Sequence, residues 1–501
     1  MKIKSLLIAN RGEIAIRIIQ TAKRMGIETW VIKTTKEPNA LYLSVADKII
    51  DFTDHFDDIP EFLDVERIIS TIKDNKIDAV HPGYGFLAES PYFAQRCEDE
   101  KIIYVGPSPD SIFKMGNKTI AKQLARKHGI PLLEGSIGNI NDPGEARKVA
   151  SKIGYPIILK AASGGGGRGM RVVEKEHEME KMFKMASSEA AKAFNDPSVF
   201  IEKYVRAPRH IEFQIFGDKH GNMVHLGERE CSIQRKHQKL IEESPSSFLD
   251  EALRQKMGSA AINIAKSVNY YSAGTVEFLL DSDKNFYFME MNTRIQVEHT
   301  ITEAVTGLDL IELQIKVAQN EKLPVNQEDI KINGWAFEFR INAEDVQAGF
   351  SPSLGVIEKL SLPRSKNIRI DIGVTEGSII TPYYDSMVAK LIIHGESREK
   401  ALTYSINALN KLWIKGIKTT VPFCKAVLAN KNFRNGTYDT SFLLKEMKIH
   451  FHHEPEEEML AAFFATFDFA RELWNEESKM VDFEKGKNIN PWVLNKRMKS
   501  L

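Results

Sequence analysis

Between Asn285 and His299 the chain sets a polar or charged side chain at every second position, Glu290, Asn292, Arg294, Gln296 and Glu298, while Met289, Met291, Ile295 and Val297 fill the alternate ones. A period of two is strand spacing, so the polar groups share one face. One straight strand cannot bring them together, because at ~3.3 Å per residue Glu290 and Glu298 would stand ~26 Å apart. The segment is therefore expected to bend after Asn292.

Upstream, Gly274-Thr-Val-Glu-Phe-Leu-Leu280 reads as a second strand, joined to the first by the turn-rich Asp281-Ser-Asp-Lys-Asn285. A hairpin centred between Asp283 and Lys284 puts Glu277 opposite Glu290. Directly opposed carboxylates, with Cβ atoms ~5 Å apart, repel unless a cation lies between them. Asn292 adds a third oxygen ligand, and hard oxygen ligands suit Mg²⁺ or Mn²⁺ bridging to nucleotide phosphates. The plainer alternative is a solvated hairpin face; phosphate-binding signals elsewhere weigh against it.

A chain of 501 residues is too long for one core and implies three or four domains. Lys+Arg and Asp+Glu both number 68, so no global basic field favours nucleic acid or an anionic membrane, and anion binding must be local. The cysteines Cys97, Cys231 and Cys424 form no metal-spaced pair and fit a reducing, cytoplasmic setting. No apolar run reaches the length of a membrane span, and the apolar run after Lys4 is too short for a signal peptide.

The amino-terminal part reads as a doubly wound α/β sheet: a strand over Ile3 to Ala9, the turn Asn10-Arg-Gly-Glu13, a helix from Ile14, and the strand Thr29-Trp-Val-Ile32. Only Gly12 stands where a dinucleotide fingerprint needs three glycines. A later strand runs into His81-Pro-Gly-Tyr-Gly-Phe86 at the sheet's carboxyl edge, where Tyr84 and Gly85 form either a ligand contact or a structural turn. Lys118 opens a helix at a domain boundary. Tyr155-Pro-Ile-Ile-Leu-Lys160 is a buried-type strand ending in Lys160, followed by Ser163, four glycines, Arg168 and Gly169. Successive glycine N–H groups can wrap an anion, and the absence of a following Gly-Lys-Ser/Thr rules out a P-loop. The next strand carries Glu202, Lys203 and Val205, with backbone groups available to a base edge. After a strand pair, Arg229, Arg235, Lys236, His237 and Lys239 crowd into one run, read as an anion site over a solvated face. Cys231 within it lacks the partners of a nucleophile.

Taken in order, Ile8-Ala-Asn-Arg-Gly-Glu13, His81-Pro-Gly-Tyr-Gly-Phe86, Gly164-Gly-Gly-Gly-Arg-Gly-Met170, Gln234-Arg-Lys-His-Gln-Lys239, Glu290 to His299 and Arg340-Ile-Asn-Ala-Glu-Asp345 resemble the motifs of biotin carboxylases, within the ATP-grasp superfamily. The resemblance implies an amino-terminal α/β domain over 1–116, an ATP-grasp domain over 117–335 with a small lid at about 132–204, and an α+β domain over 336–447. By the same resemblance Lys118, Lys160, Gly166, Gly167, Glu202, Lys203, Val205, His210, Gln234, His237, Glu277 and Glu290 contact ATP, and Glu277, Glu290 and Asn292 hold two Mg²⁺ or Mn²⁺ ions. Lys239, Arg294, Gln296 and the backbone of Val297 hold bicarbonate, with Glu298 as its base, and Arg340, Tyr84 and Gly85 face biotin. The reaction implied is a ligation: MgATP and bicarbonate give carboxyphosphate, and biotin on another chain is then carboxylated. The competing readings are a different ATP-grasp carboxylate–amine ligase and a nucleotide-sensing module; the second does not need Glu298 or Arg340.

Residues 448–501 extend past the resemblance. Pro455 and Glu456 to Glu458 suit a helix start, and Met459, Leu460, Phe463, Phe464, Phe467, Ala470 and Trp474 recur at helical spacing, a stripe that either docks on its own domain or receives a partner subunit. This tail resembles that of the separate subunit of two-subunit pyruvate carboxylases, with acetyl-CoA carboxylase as the alternative assembly. Lys448 and Lys499 follow methionines but lack the second methionine of a biotin-accepting turn. The expected partners are therefore a biotin carrier or carboxyltransferase subunit, joined to a homodimer of this chain.

Overall fold

The structure is a computed structural model that describes residues 2–54, 59–136, 138–161, 170–194, 196–447 and 466. Gly166, Gly167 and Arg168, and the stripe from Met459 to Trp474, lie outside the described residues.

Five parallel strands open the chain: β1 (Ser5–Ile8), β2 (Glu28–Lys33), β3 (Lys48–Asp51), β4 (Ala79–His81) and β5 (Ile103–Tyr104), in the order β3-β2-β1-β4-β5. Strand order reverses between β1 and β4, and the loops leaving their carboxyl ends meet there, the place where such sheets form a crevice. The helix Gly12–Arg24 follows β1, and its stripe of Ile14, Ala15, Ile18, Ile19 and Ala22 is buried. Buried Arg17 on the same helix reaches out of the domain to Glu303 at 2.6 Å and Asp309 at 2.9 Å.

A three-stranded antiparallel sheet follows, β6 (Ile157–Ala161), β7 (Arg171–Val173) and β8 (Val199–Lys203), in the order β7-β6-β8. The helices Pro143–Ile153 and Met179–Phe194 supply apolar residues such as Ala146, Ala150, Met179 and Phe183 to its core.

The larger sheet is antiparallel throughout: β9 (Arg209–Gly217), β10 (Met223–Arg235), β11 (Gln238–Ser244), β12 (Ser272–Leu280), β13 (Phe286–Asn292) and β14 (Trp335–Asn342), ordered β13-β12-β9-β10-β11-β14 and continued by the strands Met387–Gly395 and Ile368–Ile372. Alternation gives its two faces opposite characters. Ile211, Phe213, Ile215, Val276, Phe278, Phe286 and Phe288 belong to one core with the helix Glu251–Lys266. The intervening His210, Glu212, Gln214, Thr275 and Glu277 are polar, and all are buried. Buried polar groups require partners, so this second face is a network of ion pairs and hydrogen bonds.

Two features of the strands depart from the reading of the sequence. Strand β10 continues through Arg235 and turns at Lys236 and His237 into β11, so the basic run is a hairpin. In the β12–β13 hairpin, Leu280 pairs with Phe286 and Phe278 with Phe288, which centres the turn on Asp283. The ladder then shifts by one residue, leaving Met289 unpaired, and Glu277 pairs with Glu290. This bulge turns Glu290 away from the face that buries Phe286 and Phe288, and it is the reason the carboxylates meet.

Candidate active site

The polar face is organised around one buried ammonium. Lys239, the second residue of β11, donates to Glu298 Oε1 at 2.7 Å and to Glu277 Oε1 at 2.9 Å, and also to Glu212. The three carboxylates come from β9, β12 and the turn after β13. Glu212 is held from its other side by Arg229, fully buried, whose guanidinium also bonds Gln214, Thr275 and Thr302. Arg229 is thus spent on the protein itself, and Arg235 bonds the carbonyl of Gly349 and lies over the Phe350 ring. The cations of the basic run part company: Lys239 reaches the carboxylate cluster, Arg229 is held behind it by Glu212, and Arg235 turns to the Gly349 carbonyl.

Strand β13 ends at Asn292, and the chain bends so that Arg294, Gln296 and Glu298 return toward Lys239. Arg294 donates to Glu89 Oε2 at 3.0 Å and to Asn292 Oδ1 at 3.3 Å. Gln296 donates to Glu277 at 3.3 Å, as does Asn292 at 3.0 Å. Glu298 stands at the N-terminus of the helix His299–Thr306, its second oxygen 2.8 Å from Arg340, which also donates to Glu242 at 2.6 Å. Burial pushes the Glu298 carboxyl up, but the charges of Lys239, Arg340 and Arg229 outweigh it and hold it well below the usual carboxylate range. Glu298 is thus ionised and aimed between two cations. For Glu242, burial and the Glu298 charge outweigh Arg340 and the weaker pull of Lys239, and it is pushed up to about 7.

Glu277 and Glu290 behave oppositely. Burial raises Glu277, but Lys239 and His210 pull it below its ordinary range. Burial and the facing Glu277 raise Glu290, against the charge of Lys118. A buried carboxyl pushed toward its neutral form by a neighbouring carboxylate is what a cation would relieve, and the oxygens of Glu277, Glu290 and Asn292 have the hard character Mg²⁺ selects. Close-set ligand atoms also occur among the described residues at His210, Glu212 and Glu277, and at Glu212, Cys231 and Glu298. Cys231 is fully buried, and burial with the Glu212 charge pushes its thiol well up, which fits an inert core group.

Toward the small sheet, Lys160 at the end of β6 donates to Glu202 Oε2 at 2.5 Å, and Lys122 holds the other oxygen. Burial raises the Glu202 carboxyl, and the two lysines reverse that and bring it to about 2. Lys203 turns instead to the carbonyls of Gly154 and Tyr155, at 2.9 and 3.2 Å, and Val205 follows in the loop beyond β8. His210 Nε2 lies 3.2 Å from Glu277, and its Nδ1 lies 3.5 Å from the Gln234 amide. Lys236 and His237 both adopt positive φ, 47° and 66°, in a two-residue turn of the kind that favours Asn-Gly. Non-glycine residues held this way store strain of ~1–3 kcal/mol each, a pattern that concentrates at ligand sites.

At the crevice of the parallel sheet Asn10 donates to the carbonyls of Pro82 and Tyr84, at 2.7 and 2.8 Å, and Gly85 has φ of 69°. The Tyr84 hydroxyl donates to Glu13, and the Arg340 charge reaches Tyr84. Sequence reading passed over Glu13, Glu212, Glu242 and Lys390. A signal was available for Lys390, a charge inside the otherwise apolar run Met387-Val-Ala-Lys-Leu-Ile-Ile393; Glu212 instead shares its strand face with the polar His210 and Gln214.

A small three-stranded sheet beside an antiparallel sheet whose hidden face carries lysines and paired carboxylates is the arrangement of an ATP-grasp ligase. Three family descriptions match: "Biotin carboxylase, N-terminal domain" over residues 2–112, "Carbamoyl-phosphate synthase L chain, ATP binding domain" over 117–326, and "Biotin carboxylase C-terminal domain" over 338–445. The chain is 48% identical to Biotin carboxylase 1 of Bacillus subtilis over 442 residues, covering 88% of this chain and 98% of that protein. It is 46% identical over 438 residues to one of the subunits of the pyruvate carboxylase of Methanothermobacter thermautotrophicus, covering 87% of this chain and 89% of that one. Among solved structures, the biotin carboxylase of Campylobacter jejuni superposes with a TM-score of 0.85 at 46% identity, covering 88% of this chain and 99% of that one. The biotin carboxylase domain of 2-oxoglutarate carboxylase from Hydrogenobacter thermophilus, solved as a dimer with MgADP and bicarbonate, also gives 0.85, at 44% identity over 89% and 98% of the two chains. The chain belongs to the biotin carboxylase family, and it is an ATP-grasp ligase with biotin carboxylase activity.

Proposed function

We propose that the chain carboxylates biotin borne by a separate carrier subunit of a pyruvate carboxylase, working as a homodimer inside a hetero-oligomer. The domain limits go with this reading: 1–116, 117–335 with its lid, 336–447, and 448–501 for subunit contact. The observation that carries the chemistry is the ionised Glu298 held 2.7 Å from Lys239 and 2.8 Å from Arg340. In this reading ATP lies along Lys118, Lys160, Glu202, Lys203, Val205, His210, Gln234 and His237, under the glycine loop with Gly166 and Gly167. Two Mg²⁺ or Mn²⁺ ions on Glu277, Glu290 and Asn292 would neutralise phosphate charge. Bicarbonate takes the space between Lys239, Arg294, Gln296 and the Val297 backbone, displacing part of the carboxylate contact of Lys239. Glu298 removes its proton as its oxygen attacks the γ-phosphorus and ADP leaves. The carboxyphosphate divides into CO₂ and phosphate, and the phosphate takes the ureido N–H proton as that nitrogen attacks CO₂. Arg340, near Tyr84 and Gly85, stabilises the charge that develops on the ureido oxygen.

The Arg340→Ala variant separates the two halves. Transfer of labelled carbon from bicarbonate to free biotin is expected to fall by about 10²- to 10³-fold, as when one charge-stabilising donor is removed. Bicarbonate-dependent phosphate release should fall less, because Lys239 still holds Glu298. Equal losses in both assays would assign Arg340 to Glu298 and Glu242 alone.

Related proteins of similar length are named as subunits of pyruvate and 2-oxoglutarate carboxylases. The three cysteines are buried and free, in keeping with a reducing cytoplasm. Among the described residues no helix is long and apolar enough to cross a membrane. Avidin capture from the source cells is expected to retain this chain through a biotinylated, pyruvate-carboxylating partner. A biotin mapped to Lys448 or Lys499 of the chain itself would contradict the separate carrier, and a partner using acetyl-CoA would replace the assigned acceptor.

A further inference from the structure

Lys390 is fully buried in the middle of an apolar strand, and it faces Arg340 directly across the ladder from β14. Two cations in register repel, and a sheet keeps them only if each head group has its own partner. The partners are consecutive in the chain. Arg340 grips the carboxylate of Glu298, and Lys390 donates to the main-chain carbonyl of Val297 at 2.8 Å. That carbonyl belongs to the peptide linking Val297 to Glu298, so its orientation sets where the Glu298 Cα and the start of the following helix stand.

Behind Lys390 the contacts lead to the parallel sheet. Glu13 Oε2 lies 3.2 Å from the ammonium, and Glu13 also accepts from the Tyr84 hydroxyl. Asp371, paired with Lys390 on the next strand, is 4.0 Å away. The simpler reading is a buried ion pair joining strand to helix. It leaves unexplained why the shortest contact of the ammonium is with a neutral carbonyl while Glu13 stands farther off. A buried ion pair is in any case weak evidence for a stabilising role.

We propose that Lys390 is a positioning residue: with Glu13 behind it, it fixes the Val297–Glu298 peptide so that the Val297 backbone and the Glu298 carboxylate converge on bicarbonate. The inference rests on the assignment of Glu298 as the base and deepens it by naming what aims it. It also joins Tyr84, on the proposed biotin side, to the bicarbonate side through Glu13 and Lys390.

The test uses the full chain as Lys390→Met and as the double variant Glu13→Gln/Lys390→Met, which removes both charges of the pair together. Lys390→Met is expected to raise the bicarbonate KM and lower kcat, each by about 10- to 100-fold, the scale of a small misplacement of reacting groups. The ATP KM should stay within about twofold, because the nucleotide-side groups Lys160 and Glu202 contact neither residue. The double variant should regain thermal stability but not the bicarbonate KM or kcat. Recovery of kinetics along with stability would show Lys390 to be only a charge partner and overturn the proposal, as would an unchanged bicarbonate KM in Lys390→Met. Failure of both variants to fold would assign Lys390 to the fold and overturn it equally. Glu298→Gln measured alongside separates the two claims: full turnover there faults the base assignment, whatever the Lys390 variants do.

Discussion

Replacing Glu298 with Gln is expected to lower kcat for bicarbonate-dependent ATP cleavage by about 10²- to 10⁴-fold, the range of a lost general base, while nucleotide binding stays close to that of the parent. The charge is needed only as the bicarbonate proton moves, so the loss should fall on kcat more than on the KM for ATP. The amide fits the same space, but its NH₂ must face a donor, Lys239 on one side or Arg340 on the other. Steady-state kinetics with nucleotide titration of the same preparation would check this. Near-parental turnover would make Glu298 a structural anion.

The second large effect concerns stability. Lys239→Met strips the shared cation from Glu212, Glu277 and Glu298, all buried, and leaving a buried ion pair without one partner costs about 3–5 kcal/mol. Its pH dependence has a defined sign. In the parent, Glu277 and Glu298 titrate below their unfolded value, so their contribution is present at neutral pH and is lost as acid protonates them in the folded state. Without Lys239 their folded pKa values rise, and a raised carboxyl loses stability as pH increases. The deficit of the variant should therefore be greater at pH 8 than at pH 5, measured as the shift in thermal midpoint at each pH. A deficit independent of pH would mean that Lys239 contributes packing alone.

Much of the site was legible because its chemistry is carried by residue types that strands and turns place periodically. The pairing of Glu277 with Glu290 was read correctly from a misplaced turn: the loop is centred on Asp283, and the bulge at Met289 restores the register. A bulge changes no local propensity, so it leaves no mark in the sequence except the carboxylate it re-aims. The basic run was only partly legible, for another reason. Charge is visible in a sequence and burial is not, so Arg229, enclosed by Glu212, Gln214, Thr275 and Thr302, read the same as Lys239 beside Glu298. Glu13, Glu242 and Lys390 act across register positions on separate strands and helices, and nothing near them in the chain announces the partner. The parallel amino-terminal sheet was legible from its β-turn-α-β order, whereas the continuation of the large sheet from β11 into β14 depends on a pairing across a long separation in sequence.

The central claim is that the polar face joining Lys239, Glu298 and Arg340 activates bicarbonate against ATP. Phosphate release from MgATP in buffer stripped of CO₂, with bicarbonate and then free biotin added in turn, tests it most directly. The account predicts little release with MgATP alone, a rise on adding bicarbonate and a further rise with biotin, the bicarbonate-dependent part abolished by Glu298→Gln. Release at full rate without bicarbonate, or unchanged in Glu298→Gln, would contradict it.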